Sequence, residues 1–279
     1  MAQRAAAVRR VEQVTQYAVL LIIAFFILIP LYWMVITALK ERNEVFALPI
    51  KWWPSRLHWE NFAEGLSQRP FGQYFWNSLM VTSVITVGTV FFSALAGYSL
   101  AKFHYRGRQA FFLLILSTMM IPFQVVMLPL YLLVRQLGWL NTYWGLIVPY
   151  AMSAFGVFLM RQHILQLPDD FIHAARIDGC SEFGIFWRII LPMSRPAISA
   201  LAIFTFMLNW DNFLWPLMVV SKDTYRTLPL GIMFFENAYQ TQYHLLMAVS
   251  LLSMLPVLIV FFILQREFIN GMVASGLKD

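Results

Sequence analysis

Residues Tyr17–Leu39 read Y-A-V-L-L-I-I-A-F-F-I-L-I-P-L-Y-W-M-V-I-T-A-L, an apolar run that contains no charged residue. The hydrocarbon core of a bilayer is about 30 Å thick, and a helix needs about 20 apolar residues to cross it. The run meets that length and is too long for the apolar core of a signal peptide. We therefore expect a retained membrane-spanning helix here, and several later stretches are of similar length.

The composition extends this expectation to the whole chain. Hydrophobic residues make up 60% of the 279 residues and charged residues only 12%, whereas about a quarter of the residues in a soluble domain are charged. The chain is therefore predicted to be an all-α integral membrane protein. Long continuous apolar runs exclude a β-barrel, whose strands would show short alternating segments. The single cysteine, Cys180, cannot form a disulfide within the chain and offers no framework for a metal site.

Six apolar segments are predicted to be transmembrane helices, and an even number places both termini on one side. They run over residues 16–39, 74–101, 110–134, 143–165, 197–220 and 245–264. Cytoplasmic loops of membrane proteins are enriched in Lys and Arg. The side that carries the termini holds twelve of the chain's 20 Lys and Arg residues, so both termini are predicted to be cytoplasmic.

The spans divide the chain into segments. These are a cytoplasmic N-terminus (1–15), the first transmembrane helix (16–39), an extracytoplasmic loop (40–72), a core with five transmembrane helices (73–264) and a cytoplasmic C-terminal tail (265–279). In the extracytoplasmic loop, Leu57–Leu66 predicts a short amphipathic helix with Trp59, Phe62 and Ala63 on one side. That helix either lies at the membrane interface or forms a docking surface for an external partner. Prolines occur inside most predicted spans, which a membrane helix tolerates.

A polar cytoplasmic loop, residues 169–192, separates the fourth and fifth predicted spans. It reads D-D-F-I-H-A-A-R-I-D-G-C-S-E-F-G-I-F-W-R-I-I-L-P. The two aspartates predict the start of a helix, and Gly179 predicts its end. One face of that helix is expected to carry Phe171, Ala174, Ala175 and Asp178. A second helix from Ser181 is expected to end at Leu191-Pro192 and to carry an apolar stripe of Phe183, Phe186, Trp187 and Ile190.

This segment, here called the hook, has two interpretations from its residues alone. It is either an amphipathic hairpin on the membrane surface or a surface that contacts another protein. Its pattern A-A-x-x-x-G, nine residues, then I-x-L-P resembles the EAA loop of ABC importer permeases. The resemblance implies that the hook binds an ATP-hydrolysing subunit through His173, Ala174, Ala175, Arg176, Asp178, Gly179, Leu191 and Pro192. The family usually has Glu at the position of His173, so a fixed negative charge is replaced by an imidazole.

The resemblance covers nearly the whole chain. Segments similar to carbohydrate-type importer permeases include residues 76–79, 96–102, 120–122, 128–130, 140–146 and 210–216, and the ending 268–278 is similar to the smaller six-span permease of maltose-type systems. The resemblance therefore implies the type I ABC importer transmembrane fold.

Asp211 is the only acidic residue predicted inside a span. An ionisable group in the membrane is costly unless it faces the bundle interior or water, so Asp211 is a candidate functional residue. One interpretation places it on the substrate path with Asn209, Trp210 and Asn212, where carboxylate and amide groups would bind sugar hydroxyls. Gln124, in the third span, has the same interpretation. The other interpretation is a polar clamp between helices.

The expected function is that of a permease subunit in a binding-protein-dependent ABC importer, forming half of the path for a sugar or glycoside. The resemblance implies a homologous second permease, two ATPase subunits and an extracytoplasmic solute-binding protein as partners, in the bacterial cytoplasmic (inner) membrane; nucleic acid is not expected. The sequence contains no G-x-x-x-x-G-K-[ST] loop to hold ATP phosphates. The chain is therefore expected not to be an enzyme and to bind no cofactor or metal, with ATP and magnesium on the partner ATPases.

Three alternatives stay open. An importer for glycerol-3-phosphate or a polyol would favour basic residues on the path, and none is predicted there. A membrane-embedded enzyme would need several ionisable groups at one depth, where only Asp211 is available. A secondary transporter usually contains internal repeats, and the sequence shows none.

Overall fold

The structure, a computed structural model, describes residues 2–235 and 241–276, and describes side chains over residues 13–235 and 241–266. Within these ranges the chain forms helices joined by turns. The α-helices in chain order are α1 (Ala2–Ala38), α2 (Glu60–Ser67), α3 (Phe71–Lys102), α4 (Arg108–Thr118), α5 (Phe123–Gln136), α6 (Tyr143–Ile147), α7 (Ala154–Leu165), α8 (Asp170–Ile177), α9 (Glu182–Ile185), α10 (Leu191–Met193), α11 (Arg195–Trp210), α12 (Leu214–Val219), α13 (Leu228–Ile232) and α14 (Tyr243–Gly276). Short 3₁₀ turns cover Arg42–Glu44, Val148–Tyr150, Asp223–Tyr225 and Met233–Phe235, and a π-helical turn covers Phe186–Ile190.

The chain divides into two compact units, residues 1–69 with 232–253 and residues 70–231 with 254–279. In the first unit, most residues of the membrane-spanning part of α1, Gln13–Ala38, are exposed within the chain. Apolar side chains on every face suit a helix whose faces are covered by lipid. The end of α1 is fixed by Asn61, whose side-chain amide donates to the carbonyl groups of Ala38 and Lys40, each at 2.9 Å.

The amphipathic helix expected over Leu57–Leu66 is present as α2 and begins three residues later. The rings of Trp59 and Phe62 stack 6.1 Å apart, as expected for neighbours on one helix face. Gly65 lets α2 approach the start of α14, since a Cβ at this position would lie 2.8 Å from Val249 Cγ2. Whether α2 lies at the membrane interface or binds a partner stays a prediction.

Helix α3 organises the second unit and packs along α7 and α11. Gly97 brings α3 and α7 together, because a Cβ at Gly97 would lie 2.8 Å from Met160 Cβ. Gly156 on α7 lies as closely against the Ser93 side chain of α3. Small residues at these contacts allow the backbones to approach, which is how membrane helices commonly associate.

Six membrane crossings are compatible with the structure, but only three of the predicted spans are continuous helices. Gln13–Ala38, Phe71–Lys102 and Tyr243–Arg266 are each long and apolar enough to cross a bilayer. The other three crossings would be bent helix pairs. Their members are Arg108–Thr118 with Phe123–Gln136 at 96°, Tyr143–Tyr150 with Ala154–Leu165 at 41°, and Glu182–Met193 with Arg195–Trp210 at 78°.

The predicted third, fourth and fifth spans are each interrupted, and the break in the fifth, residues 211–213, is separate from the 78° bend at Ser194. A proline lies close to each break, and proline has no N–H to donate to the helix ladder. Pro122 is in an extended conformation and precedes α5. Pro149 lies in the 3₁₀ turn before α7, which is capped by Ser153 accepting from Gly156 N. In the fifth span α11 ends at Trp210 and α12 begins at Leu214, two residues before Pro216.

The sixth span was expected to end at Leu264, but α14 continues to Gly276. Most of the predicted tail, residues 265–279, therefore continues this helix. Lys278, in that tail, lies outside the described residues, as do residues 236–240. The side chains of residues 268–276, which carry part of the resemblance, are also outside the described set.

Candidate functional site

The hook is built from two short helical segments joined at a glycine. Helix α8 follows Pro168 and Asp169, as the sequence predicts. Gly179 has φ +79°, a left-handed conformation that glycine adopts at little cost and that commonly ends a helix. Ser181 then caps α9, because its hydroxyl accepts a hydrogen bond from Gly184 N at 3.2 Å.

The prediction that Leu191-Pro192 stops the second helix is wrong. The helical segment continues through the π-helical turn Phe186–Ile190 into α10, and Ser194 caps its end. Leu191 N–H donates to the carbonyl group of Phe186, five residues earlier. This wider turn carries the chain past Pro192, which lies in the first turn of α10, where a backbone N–H is not needed.

One side of the hook is buried against the rest of the second unit. The core beneath it contains Ile172 and Ala175 from α8, Ile185, Phe186 and Ile190 from the second segment, and Tyr98 and Ala101 from α3. The predicted stripe of the second segment therefore splits. Phe186 and Ile190 are buried, while the side chains of Phe183 and Trp187 are more than half exposed. Trp187 stacks on Phe91 of α3 at 6.0 Å.

The opposite face of α8 is exposed and largely apolar. Phe171 is 53% exposed and Ile177 is 86% exposed, with the exposed Ala174 between them. Asp178 is also exposed, but Ala175, expected on this face, is 7% exposed and belongs to the core. Sequence reasoning missed Ile177, although its spacing from Phe171 and Ala174 in steps of three residues is the signal that would have identified it.

The remaining residues predicted for the hook are divided between surface and core. His173, Arg176, Gly179 and Pro192 are exposed, whereas Leu191 packs against the core. The Arg176 side chain was expected to be a charged contact for a partner. Its Nε atom donates to Glu182 Oε1 at 2.7 Å within the hook, and its contact with a partner stays a prediction.

Ionic and polar contacts fasten both ends of α8. At its start, Lys102 Nζ donates to Asp169 Oδ1 at 2.6 Å and to the carbonyl group of Leu167 at 2.7 Å. The hydrogen-bonded Lys102 ammonium holds the pKa of Asp169 below its usual value. At the other end, Glu182 accepts from Arg176 and also from the Tyr98 hydroxyl, at 2.8 Å.

An aromatic cluster lies at three helix breaks, residues 119–122, 151–153 and 211–213. Phe123, Tyr150 and Trp215, here called the break cluster, each lie beside one break, with ring centroids between 5.9 and 6.4 Å apart. Trp215 is fully buried, and its Nε1 donates to the carbonyl group of Gly145 at 2.9 Å. Non-helical backbone at membrane depth is tolerated where it is buried in protein or lines a water-filled cavity. The three breaks therefore meet at one place in the second unit.

The residues predicted for the substrate path do not share one face. Gln124 is exposed in the first turn of α5, next to Phe123, and Asp211 is exposed at the end of α11. Asn212 is half-buried and its Oδ1 accepts from Trp215 N at 3.4 Å. Asn209 donates from its side chain to the carbonyl group of Thr205, one turn earlier, at 2.8 Å.

Trp210 is 2% exposed and packs on Phe206 and Phe75 at 5.7 and 5.8 Å. It therefore belongs to the packing of the bundle, and only Gln124, Asp211 and Asn212 lie at the breaks. Among the side chains that the structure describes, no three His, Cys, Asp or Glu residues are close enough to share a metal ion.

Comparison with known proteins identifies the family. Residues 92–273 match the family described as binding-protein-dependent transport system inner membrane component. The chain is 38% identical to the arabinooligosaccharides transport system permease protein AraQ of Halalkalibacterium halodurans, over 92% of this chain and 93% of that protein. It is 34% identical to the sn-glycerol-3-phosphate transport system permease protein UgpE of Yersinia enterocolitica, over 96% of this chain and 98% of that protein.

The fold also matches a solved structure. A chain in the crystal structure of a bacterial ABC transporter involved in the import of the acidic polysaccharide alginate superposes with a TM-score of 0.82 at 22% identity, over 93% of this chain and 97% of that chain. At this identity the match supports the fold, while the family follows from the sequence match over residues 92–273. The chain belongs to the inner membrane components of binding-protein-dependent transport systems and is a transport subunit, not an enzyme.

Proposed function

We propose that this permease subunit forms half of the path for a sugar or glycoside across a bacterial cytoplasmic membrane. A homologous second permease would form the other half, two ATPase subunits would bind on the cytoplasmic side, and a solute-binding protein would deliver the substrate outside. The observation that carries the proposal is the exposed apolar face of α8, which lies in the segment with the A-A-x-x-x-G pattern.

The exposed face of α8 favours a protein partner over a bilayer surface. A hairpin that lies on the membrane surface would turn its apolar side chains towards the membrane, on the side of the helix that faces the bundle. In the hook, that side of α8 is already occupied by Ile172 and Ala175, which are buried in the core. Phe171 and Ile177 lie on the other face. Covering an isoleucine that is exposed in the free chain contributes about 1.5–3 kcal/mol. Because the chain has no loop to hold ATP phosphates, ATP and magnesium would belong to the docked ATPase.

The chemistry of the helix breaks favours a neutral hydroxylated substrate. Gln124 and Asn212 offer amide groups, and the break segments 119–122, 151–153 and 211–213 contain no Lys or Arg. A phosphate group would favour basic residues, and Asp211 at one break would repel it. The similarity to an arabinooligosaccharide permease agrees with a sugar, whereas the similarity to a glycerol-3-phosphate permease keeps that substrate as the second candidate.

The proposed mechanism is alternating access. ATP binding would close the two ATPases and move the docked hooks, and the bent spans would reorient around the break cluster. The breaks supply places where a span can change direction without losing helical hydrogen bonds elsewhere. This chain's own part is to hold α8 in position for docking and to transmit its displacement into the bundle.

The test is co-purification of the chain with the ATPase subunit of its own transport system, using Ile177→Asp. The side chain is 86% exposed, so the substitution should leave the free chain folded. It places a charge in the proposed interface, and we expect association to weaken at least about tenfold. Ile50→Asp is the matched control, since Ile50 is 56% exposed in the extracytoplasmic loop. Unchanged ATPase recovery with Ile177→Asp would refute docking through α8, and ATP hydrolysis by the purified chain alone would refute the assignment of catalysis to the partner.

A further inference from the structure

Glu182 joins the two segments of the hook, α8 and α9, to α3 through one carboxylate. Its Oε1 accepts from Arg176 Nε of α8 at 2.7 Å, and its Oε2 accepts from the Tyr98 hydroxyl of α3 at 2.8 Å. Glu182 itself lies in the first turn of α9. Because each oxygen serves a different partner, loss of the carboxylate would remove the polar connection between α8 and α3 at this end, while their apolar contacts in the core would stay. The three residues are here called the Glu182 link.

The link runs from the surface into the core. The side chains of Arg176 and Glu182 are 36% and 43% exposed, while Tyr98 is 2% exposed. The Tyr98 ring is held between Phe103 and Phe186, at centroid distances of 5.2 and 6.0 Å. The position of Tyr98 is therefore fixed by packing, and Glu182 holds α8 in place relative to Tyr98.

Packing does not fix Glu182. A mostly apolar cavity of about 200 Å³ lies beside it, lined by Leu95, Tyr98, Ser99, Phe103, Glu182, Phe183 and Phe186. A side chain that borders a cavity lacks close contacts on that side, so its hydrogen bonds determine where it lies. Capping of α9 does not require Glu182 either, because the Ser181 hydroxyl already accepts from Gly184 N.

The other end of α8 is fastened to the same part of α3. Lys102 bonds Asp169 and the carbonyl group of Leu167 just before α8 begins. Tyr98 and Lys102 are four residues apart and so lie on neighbouring turns of one α3 face. Helix α8 is thus tied at both ends to the last turns of α3, which packs in turn on α7 and α11.

We infer that Glu182 is a positioning residue for energy coupling, which makes α8 and α3 move together when the hook is displaced. The inference rests on the proposed docking of α8 on an ATPase, and it adds the route by which that displacement enters the bundle. The exposed apolar face makes the contact with the partner, whereas Glu182 transmits the movement. Without the link, an ATPase could still bind and turn over, but its motion would be poorly converted into reorientation of α3.

The first experiment needs no ATPase. Amide hydrogen exchange of residues 170–178 is measured in the purified full chain and in Glu182→Gln, which keeps the shape and removes the charge. We expect exchange in the last turn of α8 to accelerate about fivefold, because the ion pair between Glu182 and Arg176 is partly exposed and screened by solvent. Glu64→Gln is the matched control, since Glu64 is exposed in α2, outside the hook. Unchanged exchange in Glu182→Gln would overturn the inference.

The second experiment uses the complete reconstituted transporter. Glu182→Gln and Tyr98→Phe should each retain the ATPase on purification, yet consume about fivefold more ATP per solute transported, a typical size for lost coupling. The double variant should be no worse than the more impaired single variant, because both changes break one link.

An unchanged ratio of ATP to solute, or additive effects, would overturn the positioning role. Loss of the ATPase from Glu182→Gln would also overturn it, since Glu182 would then be part of the docking surface. If the wild-type chain fails to retain an ATPase, the proposed function fails while the exchange result still decides the link.

Discussion

The hook and the break cluster both interrupt the long helices of one membrane unit, yet they are specified in different ways. The hook is contiguous in the chain, and its helix start, its glycine turn and its cap all lie within residues 168–184. The break cluster gathers Phe123, Tyr150 and Trp215 from three separate spans. The first is determined by local chemistry and the second by how three helices pack. Substitutions should therefore have local effects in the hook and separable structural and transport effects at the breaks.

The largest effect is expected from Gly179→Val. No atom lies within 4 Å of a Cβ placed there, so the cost comes from the φ of +79°. A non-glycine residue in this conformation costs about 1–2 kcal/mol, and relieving it would rotate α8 away from α9. We expect ATPase recovery and uptake to fall at least about tenfold.

The matched control is Gly107→Val, because Gly107 has φ +84° and equally open surroundings but lies before α4, outside the hook. It should lose similar stability and keep the ATPase. Equal loss of the ATPase in both variants would show that the effect is general instability and would remove the special status of the hook.

The second prediction concerns the helix breaks and separates Asp211 from its neighbour Trp210. Asp211 is exposed, so Asp211→Leu should leave assembly unchanged and lower uptake per assembled complex about fivefold, the effect of one lost hydrogen bond of about 1 kcal/mol. Asp211→Asn should have a smaller effect. Trp210 is buried, so Trp210→Ala should destabilise the chain by about 3–5 kcal/mol and reduce the yield of complex.

The measurement is uptake normalised to assembled complex. Full uptake per complex in Asp211→Leu would remove this residue from the path. A reduced yield of complex in the same variant would favour the polar clamp between helices, the other interpretation of this residue.

The sequence predicted those features that depend on neighbours in the chain. Apolar runs identified α1, α3 and most of α14, and local motifs identified α8 and its end at Gly179. The breaks were missed because proline is ambiguous inside an apolar run. Pro129 lies inside α5 without ending it, whereas Pro122 precedes a bend of 96°, and packing by other spans makes the difference.

Site prediction follows the same division. Ala175 and Arg176 carry the family pattern, but one is buried and the other is bonded to Glu182, a partner that no local pattern indicated. Trp210 and Asp211 are adjacent in the chain, but α11 ends between them, and Trp210 is buried whereas Asp211 is exposed. Motif position identifies a segment, while the direction of each side chain depends on tertiary contacts.

The smallest expected effect is the pH dependence of the tie between Lys102 and Asp169. The Lys102 ammonium lowers the pKa of Asp169 below its usual 3.8 in the folded chain, so the unfolded chain binds the proton more readily. The contribution to stability is therefore complete above about pH 3.8 and is lost as the pH falls from there through the lowered pKa. Asp169 is 62% exposed, and solvent screening keeps the effect small.

The measurement is the exchange protection of the first turn of α8 between pH 6 and pH 3, corrected for the intrinsic pH dependence of amide exchange. Wild-type protection should fall by about twofold at the acidic end, as expected for a screened ion pair, while Asp169→Asn should be lower at pH 6 and flat throughout. A parallel fall in Asp169→Asn would assign the acid sensitivity to another group. A flat wild-type profile would mean that the contact with Lys102 does not hold the start of the hook.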